Sequence, residues 1–156
     1  MHFNTPTDLM SNMRYGSGGG IYRIVTTTAQ TGGIHFAFDC TEKPGGGPPL
    51  HVHETEEEYF FVTEGEFTFF IDGKITKAKA GESAFVPRGM VHCFKNCTNQ
   101  DARMLVLFTP GNIEGYFDFG LPLEDGSIPS EACLIERINA IGPKFNVVQV
   151  EGPSPF

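Results

Sequence analysis

Three histidines and one glutamate stand at spacings that could hold a single metal ion. His51 and His53 are separated by one residue, and the side-chain period of two in a strand sends both imidazoles to one face. Glu58 opens an aromatic run that predicts the next strand, and His92 begins a short apolar strand after a proline and glycine turn. Three imidazoles and a carboxylate suit iron, nickel, manganese, copper, cobalt or zinc, with positions left open for water or substrate.

Other interpretations of these residues stay open at this point. A histidine in a strand is often only a hydrogen-bonded polar group, and Glu57 competes with Glu58 as the carboxylate. His35 is a candidate further ligand, but it lies opposite the apolar side of its alternating strand, which favours a surface or interface position. Glu54, Glu56 and Glu57 are expected to be solvated loop charges.

The same residues complete two motifs of a known family. The chain resembles the cupins, whose motifs read G-x5-H-x-H-x(3 or 4)-E-x6-G and G-x5-P-x-G-x2-H-x3-N. Glu58 fits the first motif better than Glu57, which would leave seven residues before the closing glycine. Fifteen residues, 66–80, separate the motifs, a spacing typical of small microbial cupins. The matching positions are Gly45, His51, His53, Glu58 and Gly65 in the first motif and Gly81, Pro87, Gly89, His92 and Asn96 in the second.

The resemblance implies an all-β fold, a double-stranded β-helix or jelly-roll barrel, with one divalent transition metal ion inside it. The ligands implied are His51, His53, Glu58 and His92, and Glu58 is also implied as the catalytic proton acceptor. The runs P-G-G-G-P-P-L-H-V-H and Y-F-F-V-T-E-G-E-F-T-F are similar to single-domain bacterial cupins of the quercetin dioxygenase-like group. That similarity implies a dioxygenase for a flavonol-like or other enol-bearing small molecule. A non-oxidative isomerase or decarboxylase, or a binding module without turnover, remains open, because one fold hosts many activities.

The remaining sequence predicts one domain in three parts. Residues 1–20 are expected to be an N-terminal arm, 21–110 the barrel, and 111–156 a C-terminal helical extension and tail. Asp72-Gly73 predicts a hairpin between two strands. Ser130 is a candidate N-cap for one short amphipathic helix that ends near Gly142-Pro143.

Apolar side chains next to the proposed ligands are expected to line a substrate pocket, although each could equally fill the core. The aromatics Tyr116, Phe117 and Phe119 either cap an opening of the barrel or pack against another subunit. The candidate pocket residues are Phe60, Val62, Phe85, Phe94, Met104 and Phe108.

Composition restricts the partners. The formal net charge of −8, without a local cluster of lysine or arginine, argues against nucleic acid. No stretch approaches the ~20 apolar residues of a spanning helix and the start lacks a secretion signal, so no membrane partner and a cytoplasmic location are expected. Four scattered cysteines are expected to be reduced. A homodimer is expected from the family resemblance and from the aromatic stretch after Gly111.

Overall fold

Two antiparallel sheets make up most of the protein, and the computed structural model describes residues 12–156. The six-stranded sheet has the order β1-β2-β3-β10-β5-β8, and the five-stranded sheet the order β11-β4-β9-β6-β7. The strands are β1 Met13–Tyr15, β2 Ile21–Thr26, β3 Phe36–Glu42, β4 His51–His53, β5 Glu57–Glu64, β6 Glu66–Ile71, β7 Lys74–Lys79, β8 Ser83–Val86, β9 His92–Lys95, β10 Ala102–Thr109 and β11 Val147–Gln149.

Alternation along β5 and β10 gives the six-stranded sheet one buried face. In β10 every second residue is buried, and the register sets Met104 opposite Val62 and Val106 opposite Phe60. Phe60 reaches across to the other sheet, where its ring centroid lies 5.1 Å from that of Phe69. Burying the faces of both sheets against each other removes large aromatic areas from water, which is the main stabilising contribution of this core.

The predicted hairpin is confirmed at Asp72-Gly73. These two residues join β6 to β7 with φ angles of 48° and 78°. Positive φ at both central positions is the type I′ geometry, whose twist matches that of the flanking strands. An aspartate and a glycine tolerate this conformation better than most residues, so the turn fixes the β6–β7 register.

Short helices connect the strands and follow the barrel. Helix α1 (Thr28–Thr31) and helix α2 (Glu131–Ile141) are α-helical, and three 3-10 turns span Ser17–Gly19, Glu114–Gly120 and Gly142–Phe145. Ser130 caps α2 by accepting a hydrogen bond from the Cys133 amide, so the predicted C-terminal helix is confirmed, as is the all-β class with a short C-terminal helical segment. Within residues 12–156, every helix is too short or too polar to cross a membrane.

The aromatics after Gly111 pack onto the barrel of their own chain. Phe117 lies 4.8 Å from Phe38 and 5.4 Å from Phe36 between ring centroids, and Tyr116 and Phe119 are buried beside it. These side chains therefore close one opening of the barrel, the first of the two predicted alternatives. Of the predicted N-terminal arm, residues 1–11 lie outside the described residues, and the remainder contains β1.

A second glutamate, Glu42, is fully buried at the end of β3, which the sequence did not predict. Its Oε1 accepts a hydrogen bond from the Tyr22 hydroxyl at 3.2 Å, whereas its Oε2 has no partner. Burial raises the pKa of Glu42 to about 8, against the opposing effects of hydrogen bonds from Tyr22 and Cys40. The carboxyl is therefore neutral at pH 7, which avoids the cost of a buried unpaired charge.

Glu42→Gln should remove a pH dependence of stability. Because the pKa of Glu42 rises from 4.5 to about 8 on folding, the folded state binds more protons between these values, and the free energy of unfolding falls as pH rises through this range. Glutamine imitates the neutral acid and does not titrate, so the variant should gain on the order of a few kcal/mol over the parent between pH ~5 and ~8. Denaturant unfolding at both pH values measures this. The exposed Glu124→Gln is the control, and an equal pH response of parent and Glu42→Gln would contradict it.

Candidate metal centre

The four predicted ligands converge at one buried point. His51 Nε2 lies 3.1 Å from His53 Nε2, and His92 Nε2 lies 2.9 Å from Glu58 Oε2. The carboxylate is 3.6 Å from His53 Nε2, and one ligand atom from each residue lies within 4.8 Å of all the others. All four side chains are buried. The cluster could therefore hold one metal ion, and it fits an ion that prefers nitrogen and oxygen ligands.

Strand pairing explains this convergence. His51 and His53 occupy alternate positions of β4, and His51 is the direct cross-strand partner of His92 on β9. Glu58 comes from the opposite sheet, where it pairs with Phe108 and faces inward. Gly89 has a φ of 76° and its amide donates to the His53 carbonyl at 2.7 Å. This turn directs the chain into β9 next to β4.

The hydrogen bonds of two histidines determine which ring nitrogen faces the cluster. His51 Nδ1 lies 2.8 Å from the Pro49 carbonyl, and His92 Nδ1 lies 2.9 Å from the Met90 carbonyl. A carbonyl only accepts, so each Nδ1 carries a proton and each Nε2 is directed to the interior, where it could offer a lone pair to a metal ion. Backbone carbonyls that hold a histidine in this way are the usual support of a metal-binding imidazole. His53 Nδ1 is buried without a partner.

Burial keeps two of the imidazoles neutral. Burial lowers the pKa of His51, and the neighbouring histidines lower it further. Burial lowers the pKa of His53 to about 4, although the charge of Glu58 opposes this. For His92, burial also lowers the pKa, but the hydrogen bond and charge of Glu58 outweigh it and the pKa is raised. Neutral imidazoles are the form that binds a metal.

The competing acids occupy other places. Glu57 faces outward and lies 3.5 Å from Arg88. Glu56 does not fit the predicted solvated loop, because it is only 5% exposed and accepts from the Thr55 hydroxyl at 2.7 Å. Burial raises the pKa of Glu56. His35 is not part of the cluster found among residues 12–156.

A mainly apolar cavity leads to the cluster. Its volume is about 510 Å³ when the opening to solvent is included. The interior is narrow, at about 40 Å³. Besides three of the four ligands, the wall contains Ser17, Tyr22, Phe38, Pro48, Pro49, Phe94, Phe108, Tyr116, Phe117, Phe119, Ile138 and Gln149.

The predicted pocket residues divide into three groups. Phe94 and Phe108 line this cavity. Phe60, Val62 and Met104 are fully buried in the core and are not part of the cavity wall. The prediction for Phe85 is wrong, because it projects from the outer face of β8 and is 52% exposed.

Sequence reasoning missed the wall supplied from outside the two motifs. Tyr116, Phe117, Ile138 and Gln149 come from residues 111–156. The stretch of Tyr116 and Phe117 did indicate a barrel cap, but no local pattern signals that Gln149 reaches the cavity. Its place depends on β11 pairing with β4, a contact between residues almost a hundred positions apart.

Comparison with known proteins agrees with this architecture. The family model described as "Cupin domain" matches residues 38–108. The chain is 30% identical over 99 residues to an oxalate-binding protein of Thermotoga maritima, which covers 63% of this chain and 82% of that protein. The chain belongs to the cupin superfamily.

Two further cupins place the chain within the superfamily. Quercetin 2,3-dioxygenase of Bacillus subtilis is 30% identical over 126 residues, which cover 78% of this chain but only 37% of the Bacillus protein. The solved structure of an RmlC-like cupin from Shewanella frigidimarina superposes with a TM-score of 0.62 at 22% identity, over 74% of this chain and 96% of that chain. The predicted jelly-roll fold is thereby confirmed.

Removal of single ligands should empty the site. We expect His51→Ala, His92→Ala and Glu58→Ala each to lower metal affinity by at least about 100-fold, since even outer hydrogen-bond partners of metal ligands are worth about 10- to 100-fold. Glu57→Ala, one residue from Glu58, is the matched control and should keep its metal. Elemental analysis of the purified variants measures the content. Full metal occupancy in both histidine variants would contradict the assignment.

Proposed function

We propose that the protein is a metal-dependent dioxygenase that acts on a flavonol-like or other enol-bearing small molecule. The observation that carries this proposal is the convergence of three imidazole nitrogens and one carboxylate at the end of a mainly apolar cavity. The similarity to a quercetin 2,3-dioxygenase supports it. His51, His53, Glu58 and His92 would hold one divalent ion of iron, nickel, manganese, copper, cobalt or zinc.

The chain would contribute orientation, exclusion of water and one proton acceptor. When bound, a redox-capable ion supplies open positions for substrate and dioxygen. Phe108 lies 5.2 Å from His53 between ring centroids, so an apolar wall adjoins the centre and limits the entry of water. Glu58 has a carboxylate oxygen at the cluster, and this oxygen would accept the proton of an enol hydroxyl.

A binding module is the second candidate function. The Thermotoga relative, of which this chain covers 82%, is described as an oxalate-binding protein. The interior of the cavity is narrow, at about 40 Å³, and it suits a ligand as small as a dicarboxylate without rearrangement. A non-oxidative isomerase or decarboxylase would instead use the ion as a Lewis acid. The same experiment distinguishes it from the dioxygenase.

Oxygen uptake separates these functions. Protein loaded with iron or nickel should consume dioxygen in proportion to substrate lost from a panel of flavonols and diketones. Glu58→Gln, compared at equal metal occupancy, should lower kcat by about 100- to 10,000-fold, because a positioned general base contributes that much. An oxygen electrode and product analysis measure both.

Three results would contradict the dioxygenase. Turnover that continues without oxygen would favour the Lewis-acid enzyme. Tight ligand binding without product would favour the binding module. No uptake with any metal and substrate would remove the oxidative function.

We further propose that the protein is a cytoplasmic homodimer. The aromatic stretch after Gly111 no longer supports a dimer, because it is buried in its own chain. An apolar face exists instead on the six-stranded sheet, where Tyr59 and Phe61 project outward from β5 and Phe85 lies opposite Tyr59. The four cysteines are free thiols, which supports a reducing compartment.

Phe61→Ser should weaken the dimer at least about tenfold, because a central aromatic anchor of an interface contributes 2 kcal/mol or more. Ile75→Ser, which is more exposed but lies on β7 of the other sheet, should leave the assembly unchanged. Light scattering across a dilution series measures both. A monomeric parent, or a dimer unaffected by Phe61→Ser, would contradict the proposed interface.

A further inference from the structure

Residues 111–156, which follow the barrel, form one side of the cavity that leads to the candidate metal centre. The family match ends at residue 108, whereas Tyr116, Phe117, Phe119, Ile138 and Gln149 all line the cavity. The metal cluster therefore belongs to the family-matched part of the chain, and this wall belongs to the segment that follows it. Selection among substrates is expected to depend on the cavity walls around a shared metal site, because one fold hosts many activities.

Strand β11 places Gln149 next to the metal cluster. It pairs antiparallel with β4, and Gln149 is the direct partner of His51. Side chains that lie directly opposite each other in an antiparallel pair point to one face, with Cβ atoms about 4.5 to 5.5 Å apart. His51 in turn pairs with His92 on β9. Gln149, His51 and His92 thus form one row across the inner face of the sheet.

Gln149 has an uncommitted acceptor in this position. Its Oε1 is buried and has no hydrogen-bond partner. The Gln149 amide lies beside the Tyr116 hydroxyl, and Tyr116 packs edge-on to His53 with 6.3 Å between ring centroids. A buried acceptor without a partner costs about 1 to 3 kcal/mol of stability, so a ligand that donates to it would recover that loss.

Two other polar side chains of the wall already have partners. The Tyr22 hydroxyl donates to Glu42, and Ser17 donates to Glu131. Apart from the Tyr116 hydroxyl, the remaining wall is mostly phenylalanine, proline and isoleucine. Among the described side chains of the wall, Gln149 is the one outside the four candidate ligands with a buried acceptor that has no partner.

We propose that Gln149, which lies beside Tyr116, accepts a hydrogen bond from the substrate. The preferred substrate class is a compact molecule that binds the ion through oxygen and carries a hydroxyl or N–H donor on the side that faces β11. Within the proposed class of enol-bearing molecules, the narrow cavity favours a single small ring over the three rings of a flavonol. This inference rests on the proposed metal site, but it requires no particular reaction.

Matched pairs of oxygen chelators test this at equilibrium. Kojic acid differs from allomaltol by one hydroxyl, and a ring N–H hydroxypyridinone differs from its N-methyl derivative by one donor. Zinc-loaded parent protein should bind the donor-bearing member of at least one pair about five- to tenfold more tightly, the value of one net hydrogen bond. Gln149→Leu should abolish this preference and leave affinity for the other member unchanged. Isothermal titration calorimetry measures the affinities, and metal content is verified after each titration.

Two controls separate recognition from folding. Gln100→Leu makes the same change at an exposed position and should keep the preference. Gln149→Leu should melt no lower than the parent, because it removes an unpaired buried acceptor; Gln149→Met is the second variant if leucine does not fold. A preference that survives in both Gln149 variants, or no preference in the parent with either pair, would overturn the inference.

The outcome is distinguishable from that of the proposed function. A Gln149-dependent preference without oxygen uptake would retain this inference and remove the dioxygenase. Oxygen uptake without the preference would support the dioxygenase and remove this inference. A parent protein that binds no metal would remove both.

Discussion

The candidate site depends on holding one carboxylate and three imidazole nitrogens close together in an interior that is shielded from water. The hydrogen bonds of His51 and His92 to backbone carbonyls fix both Nε2 atoms toward this point, and the buried carboxylate of Glu58 lies within hydrogen-bonding distance of one of them. Electron-rich groups so close together in a low-dielectric interior repel one another unless a cation or proton lies between them. Both sheets are needed to create this arrangement, because the histidines come from one sheet and the glutamate from the other.

Local periodicity made much of this arrangement predictable. The H-x-H spacing determines a shared face without any tertiary information, and the Asp72-Gly73 turn determines the β6–β7 register. Phe85 shows where the reasoning fails, since Ala84, Phe85 and Val86 are all apolar and the alternation gives no parity for so short a strand. Helix α1 was also missed, although Thr27 and Gln30 form a capping box that its sequence displays. Thr26, Thr27 and Thr28 are β-branched, which favours a strand, and the side-chain hydrogen bonds of the capping box outweigh that preference.

Buried polar groups, and cavity walls formed by residues far apart in the sequence, could not be predicted for a different reason. Glu42 shares the buried parity of Phe38 and Cys40, but it ends the strand and an acid at a strand end normally faces solvent, so the alternation alone did not indicate its burial. Gln149 lies on a three-residue strand whose partner is fixed by the packing of the whole C-terminal segment. Both residues have an unpaired buried oxygen, and such atoms cost stability. The four candidate ligands lie within the part of the chain that the cupin model matches, whereas much of the wall that would select a ligand comes from residues 111–156, beyond that match.

X-ray absorption spectroscopy of the metal-loaded protein would test the four-residue metal site, because it reports the ligand atoms around the ion without reference to any substrate. We expect one ion per chain, with three imidazole nitrogens and a carboxylate oxygen among its ligand atoms. A shell that lacks the multiple-scattering signature of imidazole, or metal bound only at the level of adventitious surface sites, would contradict this expectation.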